Sequence, residues 1–512
     1  MVGRKEEMKG RKKRYIIAVT AVIALLIAAF IGWTYLQLHQ QQKQVDVDLY
    51  TLVPASSEAI IEVQDLKALH ENITHSCLER QHFKTLEVSV LATFILDNLG
   101  QLSTIRQDGN SNRLLLSFHQ PHTTHDQVIY GMTGSEGTRF IGTLLDHYFP
   151  NSGQAKSIKY REEEIRIYPI GRNFLACWIK DGTFVISLQK RLIEKVIDAT
   201  KDSKHALTDN TLATLRMQRK SRETLTLYLH TSDENKWEET AIRMNREAIF
   251  LSASNNSSSS NDTSYHEPTF AATTESLNEH LLPGHIQMIC QTGFKTKRDE
   301  TPLGRLLDEQ GCRQLTYIMF SPKENNHTRH QILMADIPLT NMDETNVNIR
   351  YGIGAKRQPS IWTAERAYPV WQYKNLSKEM MQHFAQPLPD TICYLTLCED
   401  KILIAPMRET LHEYIMETAA KKDADNPPYD HNRKQYFRIL EHLAEEASST
   451  FITDMADLMC DTLTFNHADN RLLNPFFIKH QPFFRHFIYA RQTIHSNGTT
   501  NVNQVMICNE DL

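Results

Sequence analysis

The feature that most constrains this chain is a run of 22 residues without a charge, Tyr15 to Leu36 (YIIAVTAVIALLIAAFIGWTYL). As a helix it extends roughly 33 Å at ~1.5 Å per residue, enough for a hydrocarbon core of about 30 Å. Tyr15, Trp33 and Tyr35 stand near its ends, where amphipathic aromatic rings favour the membrane interface. Residues 1–14 hold seven Lys/Arg and two Glu, a net charge of +5. The opposite flank, QLHQQQKQVDVD, holds one lysine and two aspartates. The positive-inside rule then predicts a cytoplasmic basic tail over 1–14, a single transmembrane helix over 15–36 and a juxtamembrane linker over 37–50. Residues 37–512 are then expected on the far side of the membrane. A cleavable signal peptide has an apolar region of about 7–15 residues followed by a small-x-small site. Here the run is longer and ends in Trp33, Thr34, Tyr35 and Leu36, so an uncleaved signal anchor is expected.

Outside the tail the balance is acidic. The 512 residues carry a formal charge of −5, which leaves −10 on residues 15–512. With 41% apolar and 23% charged residues, this is neither a polytopic membrane protein nor a disordered chain. No nucleic-acid partner is expected from such a charge. Only 19 glycines are present, about half the usual ~7%. That scarcity argues against phosphate-cradling loops, and no cofactor is expected.

The chain resembles itself. FLACWIKDGTFVISLQKRLIEKVIDAT (174–200) and YLTLCEDKILIAPMRETLHEYIMET (394–418) each read as strand, tight turn, strand and amphipathic helix. LVPASSEAIIEV (52–63) resembles LLPGHIQMIC (281–290), a proline corner entering a strand. LLLSFHQPHTTHDQVIYGM (114–132) pairs with LTYIMFSPKENNHTRHQILMADI (315–337). The order is the same throughout, which predicts a tandem duplication: a first half over 51–251, a polar low-complexity linker or loop over 252–268, and a second half over 269–512. Asp108-Gly109, Asp181-Gly182 and Asn497-Gly498 are hairpin signals. Helices are expected at Asn235–Leu251 and Arg433–Ala447. The fold class predicted is α+β, two related halves with antiparallel sheets and packed helices.

The chemistry-bearing patterns are weak. His119, His122 and His125 form HxxHxxH in a predicted loop, and His327 and His330 fall in the matching loop of the second half. Loop histidines at that spacing have no fixed ligand geometry, so solvated side chains are expected and no metal site. Gly131 to Gly137 (GMTGSEG) reads as a turn entering a helix, without the Lys-Ser/Thr of a phosphate loop. Glu162-Glu163-Glu164 and Glu238-Glu239 read as solvated strand edges. Arg216, Arg219, Lys220 and Arg222 read as the basic end of a helix. Eight cysteines (77, 177, 290, 312, 393, 398, 460 and 508) form no CxxC pair. Most are expected as small buried residues in strands, with one or two long-range bridges left open. Cys393 and Cys398 are an odd distance apart and so belong to opposite sheet faces. No catalytic constellation is visible.

The short basic N-terminus, the anchor, the segment DLYTLVPASSEAIIEVQDLKAL and the paired strand–turn–strand–helix units resemble a family of uncharacterised envelope proteins from Bacteroidetes that carries a large domain of unknown function. The resemblance implies an inner-membrane-anchored periplasmic protein and brings no catalytic residue. The expected function is non-enzymatic binding or scaffolding of an envelope protein or peptide, with the inner membrane contacted through 15–36. The alternatives are an envelope hydrolase or transferase with a dispersed active site, or a carrier of a small ligand or lipid.

Overall fold

The computed structural model describes residues 47–74, 98, 114–121, 125–132, 134–148, 156–170, 173–180, 182–218, 224–231, 236–245, 247–253, 272–273, 282–294, 301–321, 329–338, 342–376, 378–381, 391–422, 431–456, 484–485, 487–496 and 499–508. The predicted anchor at 15–36 lies outside these residues. Among them no helix is long and apolar enough to cross a membrane.

After a 3-10 turn at Leu49–Leu52 come β1 (Ser57–Val63), α1 (Leu66–Thr74), β2 (Leu114–His119), β3 (Gln127–Met132), α2 (Gly134–Tyr148), β4 (Lys156–Tyr160) and β5 (Glu163–Ile170). Next are β6 (Asn173–Lys180), β7 (Thr183–Ser187), α3 (Lys190–Lys201), α4 (Asn210–Gln218), β8 (Leu225–Thr231), β9 (Lys236–Met244) and β10 (Ala248–Ala253). Then follow β11 (Ala272–Thr273), β12 (His285–Gly293), α5 (Pro302–Glu309), β13 (Gln314–Ser321), β14 (His330–Asp336), α6 (Met342–Val347), β15 (Lys356–Trp362), β16 (Ala367–Lys374) and α7 (Lys378–Met381). The chain finishes with β17 (Ile392–Cys398), β18 (Lys401–Ala405), α8 (Arg408–Lys422), α9 (His431–Leu440), β19 (Glu446–Ala447), β20 (Ser449–Asp454), β21 (Phe487–Ser496) and β22 (Thr499–Cys508).

These elements form two compact units. The first contains β3 to β7 with α2 and α3, and its strands run β3-β7-β6-β5-β4, every pair antiparallel. Leu192, Ile193, Val196 and Ile197 recur at the helical spacing along α3 and are buried, so that face packs against β6 and β7.

The second unit is one antiparallel ladder in the order β2-β1-β8-β9-β10-β22-β21-β20-β12-β13-β14-β18-β17-β16-β15. Its central strands are apolar on both sides, and alternate residues enter different cores. Met288, Tyr317, Leu333, Ile402, Phe451 and Tyr489 belong to one cluster, which also takes in Leu303, Leu306 and Leu307 of α5. Their neighbours Ile289, Ile318, Ile332, Leu403, Ile452 and Ile488 belong to the other, beneath Leu411, Tyr414 and Ile415 of α8 and Tyr436 and Ile439 of α9.

The predicted α+β class is therefore corrected. The described chain is 50% strand and 29% helix, dominated by antiparallel sheet rather than balanced between sheets and helices. Part of the error lies at Asn235–Leu251, where a helix was expected. It folds as the β9–β10 hairpin, turned by Asn245, whose side chain accepts from the Glu247 and Ala248 amides at 2.9 and 2.7 Å. Ladders to β8 on one side and β22 on the other override a weak local preference. The predicted linker over 252–268 begins inside β10, and its residues from 254 lie outside the described set.

Gly131 owes its identity to its cross-strand neighbour rather than to a phosphate loop. A Cβ there would sit 2.2 Å from the ring of Phe184, which lies over the glycine in the β3–β7 pair. Gly131→Ala is expected to destabilise the protein by about 1–3 kcal/mol in urea unfolding, the usual range for overpacking. Pairing it with Phe184→Leu should recover part of that loss; strict additivity of the two changes would refute the steric explanation.

Candidate functional site

The register of the ladders gives a residue-by-residue correspondence between two stretches of chain. Lys180↔Thr183 through Cys177↔Ile186 in β6–β7 match Cys398↔Lys401 through Leu395↔Ile404 in β17–β18. Met132↔Thr183 in β3–β7 matches Asp336↔Lys401 in β14–β18. The β1–β2 pair shifts register between Ser57 and Ala59, and β12–β13 shifts at the corresponding place, between Ile286 and Met288. Residues at equivalent positions in the two stretches differ in side chain while their registers match.

At the β1 bulge the first stretch is polar where the second is apolar. His119 is buried at the end of β2, with Ser56 Oγ 3.3 Å from its Nδ1 and Ser117 Oγ 2.8 Å from its Nε2. In the second stretch the positions of His119 and Ser117 are taken by Phe320 and Ile318, both core residues. His119 is thus a strand residue bonded through both ring nitrogens, not the solvated loop residue expected. His330 is likewise in a strand, at the start of β14. Its Nδ1 lies 3.1 Å from Thr410 Oγ1 and its ring stacks on Phe320. His125 precedes β3, whereas His122 and His327 lie outside the described residues. Among the described residues no three His, Cys, Asp or Glu come together as a metal site.

Two further polar clusters escaped sequence analysis. Lys401 Nζ lies 2.6 Å from Asp336 Oδ1, and the Gln314 amide donates to Asp336 Oδ2 at 2.6 Å. Only 5% of the Lys401 side chain is exposed, so loss of either ion would leave its partner charged in an apolar setting. The equivalent pair is Met132 and Thr183. In the first unit, Glu163 accepts from Lys180 Nζ at 2.7 Å and from Trp178 Nε1 at 3.3 Å. The Lys180 bond, aided by Trp178, holds its carboxyl below the usual range despite partial burial. Glu163 is therefore a paired, half-buried group in a strand flanked by β4 and β6, not the solvated edge residue expected. Arg216 does stand in the last turn of α4, the basic helix end read from the sequence.

Six cysteines are described, and no disulfide joins any two of them. Burial pushes Cys177 and Cys393 up to about 12, which makes them inert at neutral pH. Cys393 and Cys398 enter the two different cores, as their odd spacing requires.

The two outermost strands differ more than their interiors do. β4 pairs with β5 alone among the described residues, and β15 with β16 alone. Ser157↔Arg166 and Arg357↔Trp371 are equivalent pairs, since Arg166 and Trp371 face the equivalent residues Cys177 and Leu395. Lys156-Ser157-Ile158-Lys159 thus corresponds to Lys356-Arg357-Gln358-Pro359.

No protein-family model matches the chain, and no curated protein does. A solved structure described as crystal form III of TP0453 is similar over 72% of this chain and 99% of its own, with 8% identity and a TM-score of 0.24. That likeness is too slight to assign a fold or a function.

Burial against Phe320 lowers the His330 pKa, with Glu413 opposing the shift. The unfolded chain, with an ordinary histidine near ~6.5, then binds the proton more readily than the folded one. Stability is expected to fall as the pH drops below about 6.5 toward the lower folded-state value. Urea midpoints at several pH values between 7.5 and 5 should be less pH-dependent in His330→Gln; an unchanged profile would remove His330 as the cause.

Proposed function

We propose that this is an inner-membrane-anchored protein of the cell envelope, with residues 15–36 spanning the membrane and the remainder in the periplasm. There it binds or scaffolds another envelope protein or peptide without catalysing a reaction. The family resemblance to Bacteroidetes envelope proteins supports the location, as do the charge asymmetry and the 22-residue neutral run. The observation that carries the binding role is the divergence of equivalent outer strands. The same connectivity is built twice by a tandem duplication. Their apolar interiors are alike, but β4 and β15 differ in the residues they present outward. An exposed strand edge recognises extended partners through main-chain hydrogen bonds.

Crosslinking in intact cells, followed by purification of the full chain, is expected to recover a defined envelope partner. Failure to recover one, together with turnover of a substrate by the purified protein, would overturn this function.

A second reading, an envelope hydrolase, is favoured by one arrangement. Ser56 is exposed and faces Nδ1 of His119, whose other nitrogen is held by Ser117. With His119 donating through Nε2 to Ser117, its Nδ1 is the proton acceptor facing Ser56 that a nucleophilic serine needs. On this reading the purified chain gives a burst with an activated acyl ester that Ser56→Ala abolishes; an unchanged trace in the variant would end it.

A further inference from the structure

From the inequality of the two outer strands we infer that β4 is an open docking strand, which accepts an extended acidic segment of a partner as an added antiparallel strand. The inference rests on the binding function proposed above and specifies the partner's chemistry.

The hairpin geometry decides which backbone groups are offered. Arg161 and Glu162, at φ 46° and 72°, form a two-residue connection between β4 and β5. In such a hairpin the flanking pair, Tyr160 and Glu163, exchanges hydrogen bonds, and bonded and non-bonded pairs then alternate along the ladder. Ile158↔Ile165 is therefore a bonded pair, whereas Lys159↔Glu164 and Ser157↔Arg166 are not. The N–H and C=O groups of Lys159 and Ser157 consequently point away from β5, toward the edge that no described strand covers. Residues 156–159 are all exposed.

The equivalent edge is closed. Pro359 stands where Lys159 stands, so the outward N–H is missing. The register breaks between Gln358 and Ile361, a bulge that interrupts any added ladder. Arg408 Nη2 donates to the Pro359 carbonyl at 3.3 Å, occupying the acceptor as well. Among the described residues, the three devices that block strand addition at β15 have no counterpart at β4.

Charge selects the occupant. Lys156 and Lys159 are exposed on an ectodomain that is acidic overall. Lysines alone discourage edge pairing between copies: a second β4 would bring four lysines into one two-stranded ladder. They do not discourage an acidic strand. Ile158, 39% exposed, lies between them and favours an apolar residue opposite. Running antiparallel, the partner strand presents an acidic residue to Lys159, an apolar one to Ile158, any residue to Ser157 and an acidic one to Lys156.

The test uses the full-length chain in detergent. An eight-residue fluorescent peptide with Asp-Val-Thr-Glu at its centre is titrated by anisotropy, alongside a charge-reversed peptide with Lys at both acidic positions. The acidic probe should bind and the basic one should not. Lys159→Pro, which imports the block found at Pro359, should weaken binding at least tenfold with an unchanged melting temperature. Lys156→Glu with Lys159→Glu leaves the backbone donors in place and should reverse the preference between the probes. Equal binding of both probes, or binding indifferent to both variants, overturns the docking strand. If intact-cell crosslinking recovers a partner whose capture Lys159→Pro does not reduce, the docking strand falls while the binding function stands. If no partner is captured and the purified chain turns over a substrate, the binding function itself fails.

Discussion

The ladder between β10 and β22 is the interaction on which the second unit depends. Ala248↔Ile507 through Ser252↔Asn503 join the last strand of the earlier stretch to the last strand of the later one, more than 250 residues away. An antiparallel strand has two rows of backbone groups to satisfy, and a sheet that stopped at β10 or at β22 would leave one row open. Each strand supplies the other's missing partner. Following the registers inward, Ser252 and Asn503 occupy equivalent positions and face one another, so the junction is locally two-fold. The fifteen-strand order and the cores on its faces follow from that closure.

The two stretches share an interior plan but differ in their buried polar residues. Glu62 and Gln291 are equivalent, both are buried, and each faces a buried threonine, Thr226 and Thr450. Gln291 also lies 3.4 Å from Thr316 Oγ1, and Glu62 lies 3.5 Å from the Tyr228 hydroxyl. A buried polar side chain persists only where its neighbours can bond it, so such positions change together or not at all. The Asp336–Lys401 pair illustrates a joint change, since its counterparts Met132 and Thr183 lack both charges. The outward-facing edges carry no such coupling, and there the two stretches part most.

Several elements were legible because their signal is local. The turn at Gly182, with φ 78°, separates two strands and precedes the amphipathic helix at Lys190–Lys201, in the order read from 174–200. The helix expected at Arg433–Ala447 forms only as far as Leu440: Phe437 and Leu440 pack against the core from α9, Leu443 does so from the turn beyond it, and Glu446–Ala447 is the strand β19. The helix expected at Asn235–Leu251 was wrong because its residue types favour a helix while its partners, β8 and β22, lie elsewhere in the chain. The histidines misled for a related reason. His119 and His330 border polar loops in sequence, but the strands extend one residue further and carry both rings into the interior. Nothing near Glu163 in sequence announced Lys180, 17 residues on, as its partner.

By itself, the sequence determined the small pieces: apolar alternation made strands, a 3.6-residue period made α3 and α9, and repetition of the Pro54 and Pro283 corners marked where equivalent strands begin. Only the tertiary structure decided which strands adjoin, which face each polar side chain enters, and which edge is left open. The physical reason is one of range. Periodicity and turn chemistry act over a few residues, whereas a ladder such as β10–β22 is chosen by the best available satisfaction of backbone groups and apolar faces across the whole chain. Lys159 and Pro359 acquire their contrast only once that choice has placed both on outermost strands.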